Sequence, residues 1–258
     1  FLPFRLGWNR MVGQGKEGEA VMKNWRRILL ITLAVFVGVY AAVAIYLGTY
    51  YRADMDAVYA MSEESDVQFG IWGDGTRVFE PEGEWDTALI FYPGGKVECD
   101  AYWQLMIRCA ENGIACMLVE MPGNLAVFDV GAAQRVMERC PEVEHWYLGG
   151  HSLGGSMAAA FTADAGWVEG LVLLAAYSTE PVDVPVLSIY GSEDDVMNRE
   201  KYEQYRGNLP AGFEEHILEG GNHAGFGYYG PQKGDGEAMI SRDAQIGQTA
   251  ELIAEFLK

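Results

Sequence analysis

One stretch narrows the possible folds more than any other: His145-Trp-Tyr-Leu-Gly-Gly-His151-Ser152-Leu153-Gly154-Gly155-Ser-Met-Ala-Ala-Ala160. Trp146, Tyr147 and Leu148 are aromatic or branched and suit a buried strand. Met157 to Phe161 suit a helix packed on a sheet. Between them, Gly150-His151-Ser152-Leu153-Gly154 has the G-x-S-x-G spacing of a nucleophile elbow. In such an elbow the serine rides a strained turn with its hydroxyl above the sheet edge. Side chains two residues to either side would strike the adjoining strand and helix. The helix that follows aims its free N–H groups at the same point. In a chain with 32 glycines the five-residue spacing alone is weak. The strand before it and the helix after it carry the assignment.

The rest of the chain fits around that unit. Residues 67–72 and 77–79 flank Gly73-Asp-Gly75, a hairpin turn. Apolar strands then alternate with helices. Strands are expected at 87–92, 115–120, 146–148, 168–176, 184–190 and 213–218, and helices at 100–112, 129–139, 199–209 and 241–258. Near-continuous apolar strands separated by helices imply a mostly parallel sheet covered on both faces. In such sheets reactive groups gather beyond the carboxyl ends of the strands. Three loops there carry polar chemistry: the elbow, Tyr190-Gly-Ser-Glu-Asp194-Asp195-Val196, and Gly220-Gly221-Asn222-His223-Ala-Gly-Phe226.

Ser152 needs a base, because an unaided hydroxyl is a weak nucleophile. Of the four histidines, His145 sits at the wrong end of its strand and His216 lies inside one. His151 adjoins the serine and cannot easily turn back onto it. His223 follows two glycines in a loop past a strand end, where a general base belongs. The acid that holds one imidazole tautomer is Asp194 or Asp195, with Asp194 preferred for its spacing from Gly191. Two N–H donors must face a developing oxyanion. Leu153 offers one, and the loop Pro93-Gly94-Gly95-Lys96 offers the other at Gly95 or Lys96.

Ahead of this body, residues 28–47 form an uncharged apolar run of the length a helix needs to cross about 30 Å of hydrocarbon. Trp25 before it, and Tyr46, Tyr50 and Tyr51 at its far end, suit the interfacial belts of a membrane. An uncleaved anchor is the preferred reading, over a cleaved signal or a buried core helix. The expected division is a basic cytoplasmic tail over 1–27 with 1–21 lacking regular structure, an anchor over 28–50, a linker over 51–64 and the body over 65–258. Lys16, Lys23, Arg26 and Arg27 precede the run, which places the body on the extracytoplasmic side by the positive-inside rule.

From residue 53 onward the chain has 11 Lys and Arg against 35 Asp and Glu, 11 − 35 = −24. Such a surface disfavours nucleic acid, which is bound through cations. Cys99, Cys109, Cys116 and Cys140 form neither a CxxC pair nor a metal-ligand spacing, and are either buried thiols or disulfide partners. No metal or cofactor is expected.

With these residues in view, the chain resembles the α/β-hydrolase superfamily and, within it, a small family labelled alpha/beta hydrolase fold-5. The resemblance covers about residues 65–258. It rests on Phe91-Tyr-Pro-Gly-Gly-Lys96, Met121-Pro-Gly-Asn-Leu-Ala126, Gly149-Gly-His-Ser-Leu-Gly-Gly155, Tyr190-Gly-Ser-Glu-Asp194 and Gly220-Gly-Asn-His-Ala-Gly-Phe-Gly-Tyr-Tyr-Gly-Pro231. It implies Ser152 as nucleophile, Asp194 as acid and His223 as base. Many relatives carry His-Gly where this chain has Pro93-Gly94. Distant relatives, the dienelactone hydrolases, use cysteine where this chain has Ser152. Lids in the superfamily commonly follow the strand that here ends near Tyr177. Only residues 178–183 intervene before the next strand, so a lidless, open site is expected, suited to a modest acyl ester over a long buried lipid chain, with the loop 224–237 as a wall. The implied activity is a membrane-anchored serine hydrolase acting on an ester-like bond through an acyl-enzyme. The alternatives are a non-catalytic tethered binding protein, and an acyltransferase or peptidase with the same triad.

Overall fold

The structure, a computed structural model, describes the backbone of residues 4–258 and the side chains of residues 20–258. It divides into two units, one ending at Thr49 and one running from Tyr50 to Lys258.

The first unit is a single helix, α1 (Phe4–Gly48). Its backbone takes in most of the leading segment expected to lack regular structure; residues 1–3 of that segment, and the side chains of the tail up to residue 19, lie outside the described residues. Within α1, Ala20–Gly48 is long and apolar enough to cross a membrane. No residue in the most apolar part of that stretch is buried, and Leu29, Phe36 and Tyr40 are among its bare side chains. A helix apolar all round satisfies its backbone internally and leaves its side chains to be covered by something else.

The second unit is a sheet of eight strands: β1 (Gln68–Ile71), β2 (Arg77–Glu80), β3 (Thr87–Tyr92), β4 (Ala115–Leu118), β5 (His145–His151), β6 (Gly170–Leu174), β7 (Val186–Gly191) and β8 (Glu214–Leu218). Their order is β1-β2-β4-β3-β5-β6-β7-β8. The hairpin β1–β2 and its junction with β4 are antiparallel, and every other pairing is parallel. All eight strands fall where the apolar runs place them.

Side chains alternate across the sheet, as strand geometry requires. Leu89 and Phe91 of β3 enter one core layer with Leu174 and Ile189, beneath α3 (Trp103–Glu111) and α7 (Arg242–Phe256). Ala88, Ile90 and Tyr92 enter the other with Leu148 and Leu173, beneath α4 (Ala132–Met137) and α5 (Leu153–Thr162). The expected linker is partly helical. Its second part forms α2 (Met55–Glu64), N-capped by the Asp54 carboxylate, and Val58 is buried in the first layer.

Helix ends differ from expectation where a local cause intervenes. The 129–139 helix starts only at Ala132, because Asp129 is drawn out to pair with Arg135. The 199–209 helix is α6 (Arg199–Tyr205) followed by a 3-10 turn, Arg206–Asn208, in which Arg206 turns to Glu215 of β8. All four cysteines are buried free thiols. The β6–β7 connection carries no inserted domain.

Candidate active site

Ser152 stands between β5 and α5 with φ 52° and ψ −120°, a region side chains rarely occupy. The glycines around it are required by contact. A Cβ on Gly150 would lie 2.6 Å from the Gly154 carbonyl carbon. A Cβ on Gly154 would lie 2.2 Å from the carbonyl oxygens of both Tyr92 and Pro93, and one on Gly155 2.6 Å from Ala176 Cβ. The small residues therefore press α5 against the end of β3, and the kinked backbone lifts Ser152 to partial exposure.

The end of β3 continues into the loop 93–96. A Cβ on Gly95 would touch Leu153 Cδ2 at 2.8 Å, so the Gly95 backbone abuts the first residue of α5. Leu153 N–H opens that helix, where first-turn donors have no partner within the helix. Gly95 N–H has no hydrogen-bond acceptor among the described residues. Lys96 differs: its N–H donates to the Asn124 carbonyl at 2.7 Å. Of the two expected donors in this loop, Gly95 alone keeps an N–H to offer, because the loop 122–124 occupies the other.

His223 lies in the loop after β8. Its Nδ1 is 2.9 Å from Asp194 Oδ2, and both side chains are buried. Asp194 Oδ1 accepts the N–H groups of Val196 at 2.9 Å and Met197 at 2.8 Å. Burial pushes the Asp194 pKa up, but the His223 hydrogen bond and charge and these two N–H groups outweigh it, and the carboxyl stays below its ordinary range. Asp195, the neighbouring candidate, is exposed. The turn at Gly191 decides between them. Glu193 N–H donates to the Gly221 carbonyl, and a Cβ on Gly191 would lie 2.1 Å from that same oxygen. The two loops are thereby packed backbone to backbone, with Asp194 between them.

His223 Nε2 is buried and has no hydrogen-bond partner among the described residues. It lies beside the elbow, since the rings of His223 and His151 are 4.5 Å apart. The structure thus brings Ser152, His223, Asp194, Leu153 and Gly95 to one end of the sheet. Ser152 is not hydrogen-bonded to His223 Nε2. Such contacts commonly tighten only when substrate is present.

Residues not singled out from sequence hold this group in place. Tyr102 Oη accepts the Gly94 N–H at 2.9 Å and lies 2.7 Å from His151 Nδ1. The hydroxyl thus bridges the Gly94 backbone and the His151 ring. Burial, reinforced by the charge of His223, holds the His151 pKa well below the ordinary imidazole value. Asp235 accepts the N–H groups of His223 at 3.2 Å and Ala224 at 2.8 Å. Gln245 of α7 pairs with the Asn222 backbone in both directions. In the sequence these are a tyrosine, an acid and a glutamine scattered far from the elbow. Only the glycines at 220–221 and 225 hint that a backbone is closely approached there. The loop 224–237, expected as a wall, turns inward: Phe226 is fully buried, and Tyr229 lies 6.4 Å from Tyr102, ring to ring.

Comparison with known proteins agrees with this fold. A structure of TT1662 from Thermus thermophilus matches with a TM-score of 0.54 at 16% identity, covering 74% of this chain and 98% of that one. Esterase 2 of Thermogutta terrifontis, phosphoramylated by tabun, matches with a TM-score of 0.55 at 16% identity, covering 74% and 93%. No curated protein matches the chain. A family model described as the alpha/beta hydrolase family matches residues 88–247, which include the elbow and the loops of Asp194 and His223. The chain belongs to the alpha/beta hydrolase family.

Proposed function

We propose that the protein is a membrane-anchored serine hydrolase that cleaves an ester-like acyl bond. One observation carries the reading: a buried imidazole, fixed on Nδ1 by Asp194 and without a partner on Nε2, lies against a strained serine elbow. His223 Nε2 takes the proton of Ser152 Oγ as the oxygen bonds to the ester carbonyl carbon. The N–H groups of Gly95 and Leu153 receive the oxyanion. The alcohol leaves with the proton from His223, and water repeats the sequence to release the acid. Asp194 stabilises the imidazolium formed in between.

The anchor is Ala20–Gly48, whose bare apolar surface a bilayer would cover. The cations Lys23, Arg26 and Arg27 at its start favour a cytoplasmic N-terminus, with the body outside. A fluorophosphonate probe is expected to label wild type and to leave Ser152→Ala unlabelled; labelling that survives the substitution would refute the nucleophile. Protease added to intact cells is expected to digest the body, and full protection would reverse the orientation.

A further inference from the structure

The chain leaves the apolar helix and joins the candidate site almost at once. α1 ends at Gly48. Tyr51 N–H donates to the Lys96 carbonyl at 2.8 Å, and Glu98 N–H donates to the Tyr51 carbonyl at 2.9 Å. This pairing forms a parallel bridge between Tyr51 and Val97. Tyr51 Oη also accepts the Lys233 N–H at 3.0 Å, and its ring lies 5.7 Å from that of Tyr229. The segment fastened here is the one that offers the Gly95 N–H. An extended chain spans at most about 3.6 Å per residue, so the covalent link from Gly48 to Tyr51 is no longer than about 11 Å. A helix seated in a bilayer therefore keeps the oxyanion loop near the headgroups, wherever the remainder of the body lies.

The surroundings of that junction suit a bilayer surface. From Tyr50 onward the chain has 12 cations and 35 acids, and three of those cations, Arg52, Lys96 and Lys233, are next to Tyr51 in sequence or meet it through their backbones. Acids share the neighbourhood, among them Glu98, 3.8 Å from Arg52, Asp54, whose carboxylate caps α2, and Asp235, engaged by the His223 loop. Bare apolar side chains flank the site on two loops. Val127 and Phe128 are 51% and 60% exposed, just beyond Asn124, whose carbonyl receives Lys96 N–H. Met239 is 79% exposed, and its N–H donates to the carbonyl of Gly220 in the loop that leads to His223.

We propose that the ester cleaved is a lipid ester resident in the bilayer and met at headgroup level, not a freely diffusing metabolite. This deepens the hydrolase and anchor readings and rests on both. The acyl carbon–oxygen bond breaks as already described, releasing alcohol and acid with water as the only co-reactant.

The test uses the full chain in phosphatidylcholine vesicles, with p-nitrophenyl acetate as the soluble ester and a fluorogenic long-chain ester embedded in the bilayer. A flexible Gly/Ser insert of about 20 residues between Thr49 and Tyr50 leaves the Tyr51–Lys96 pairing intact and adds roughly 25 Å of mean reach. The embedded ester is expected to be turned over about fivefold more slowly by this variant, with the soluble ester unchanged, because the site's effective concentration at the surface falls. Equal turnover of the embedded ester by both forms overturns the proposal, as does a wild type that cleaves only the soluble ester. Should the insert also cost soluble-ester activity, the pair V127S/F128S decides: KM is expected to rise for the embedded ester alone, and an unchanged KM rejects the idea. Loss of probe labelling in wild type would instead remove the hydrolase reading. A wild type that does not float with the vesicles would remove the anchor. Either result takes this inference down with it.

Discussion

Ser152 pays for its reach in backbone strain. A side chain held at positive φ outside the usual basins costs roughly 1–3 kcal/mol. Ser152→Gly is therefore expected to raise thermal stability, by about 1 kcal/mol, while abolishing probe labelling; a lower melting temperature would show that the elbow is not strained. Asp194 and Asp195 are adjacent in sequence yet differ in surroundings, and the spacing from Gly191 favours the first without excluding the second. What separates them is the pair of N–H groups at Val196 and Met197, which turn one carboxylate toward His223. Asp194→Asn is expected to lower kcat by about 10⁴-fold and Asp195→Asn to leave it unchanged, as measured by ester hydrolysis at neutral pH. Tyr102→Phe removes the acceptor of Gly94 N–H and the partner of His151 Nδ1, and buried polar groups left unpaired cost about 1–3 kcal/mol each. It is expected to lower kcat with little change in KM, because the loop it steadies carries Gly95.

At the scale of elements, the elbow was legible because its packing demands leave marks in composition. Gly150, Gly154 and Gly155 are each needed where another backbone or Cβ comes within 3 Å. Gly154→Ala would drive a methyl into two carbonyl oxygens, and is expected to lose probe labelling and at least 1–3 kcal/mol of stability, ~ the cost of overpacking, in denaturant unfolding. The central strands β3 to β7 were legible for a similar reason: buried almost throughout, they read as apolar runs. The helix ends were not: Asp129 pairs with Arg135 within its own segment, and Arg206 leaves its helix for an ion pair with Glu215 that only the fold creates. Lys96 was a fair candidate donor until the loop 122–124, some thirty positions on, proved to hold its N–H. The grip of Asp235 and Gln245 on the His223 loop was illegible for the same reason. Contacts between loops depend on how strand ends are arrayed, and no local pattern records them.

For the whole molecule, buried ionisable groups set the response to acid. His151 is neutral in the folded body, its pKa far below the ordinary 6.5. The unfolded chain binds a proton there and the folded one does not, so stability is full above pH 6.5 and falls as pH drops below it. One such group gives a slope of at most about 1.4 kcal/mol per pH unit. Asp194, whose pKa is lowered, adds stability above its ordinary 3.8 that is lost as pH falls further. The exposed His145–Glu169 pair raises the pKa of His145 and so acts in the opposite sense, screened by solvent. Melting temperatures are expected to decline from pH 6.5 downward, and His151→Gln to flatten the first part of that decline; a flat wild-type profile between pH 6.5 and 5 would count against a neutral buried imidazole.

The four thiols buried in the two core layers give the protein a built-in clock. Cys99, Cys109 and Cys116 are at most 3% exposed, and burial raises the pKa of Cys99 and Cys116, so thiolate, the reactive form, is scarce as well as shielded. A maleimide can therefore mark these positions only in molecules whose sheet has come open. The rate at which label accumulates would time the rare openings of the body without heat or denaturant.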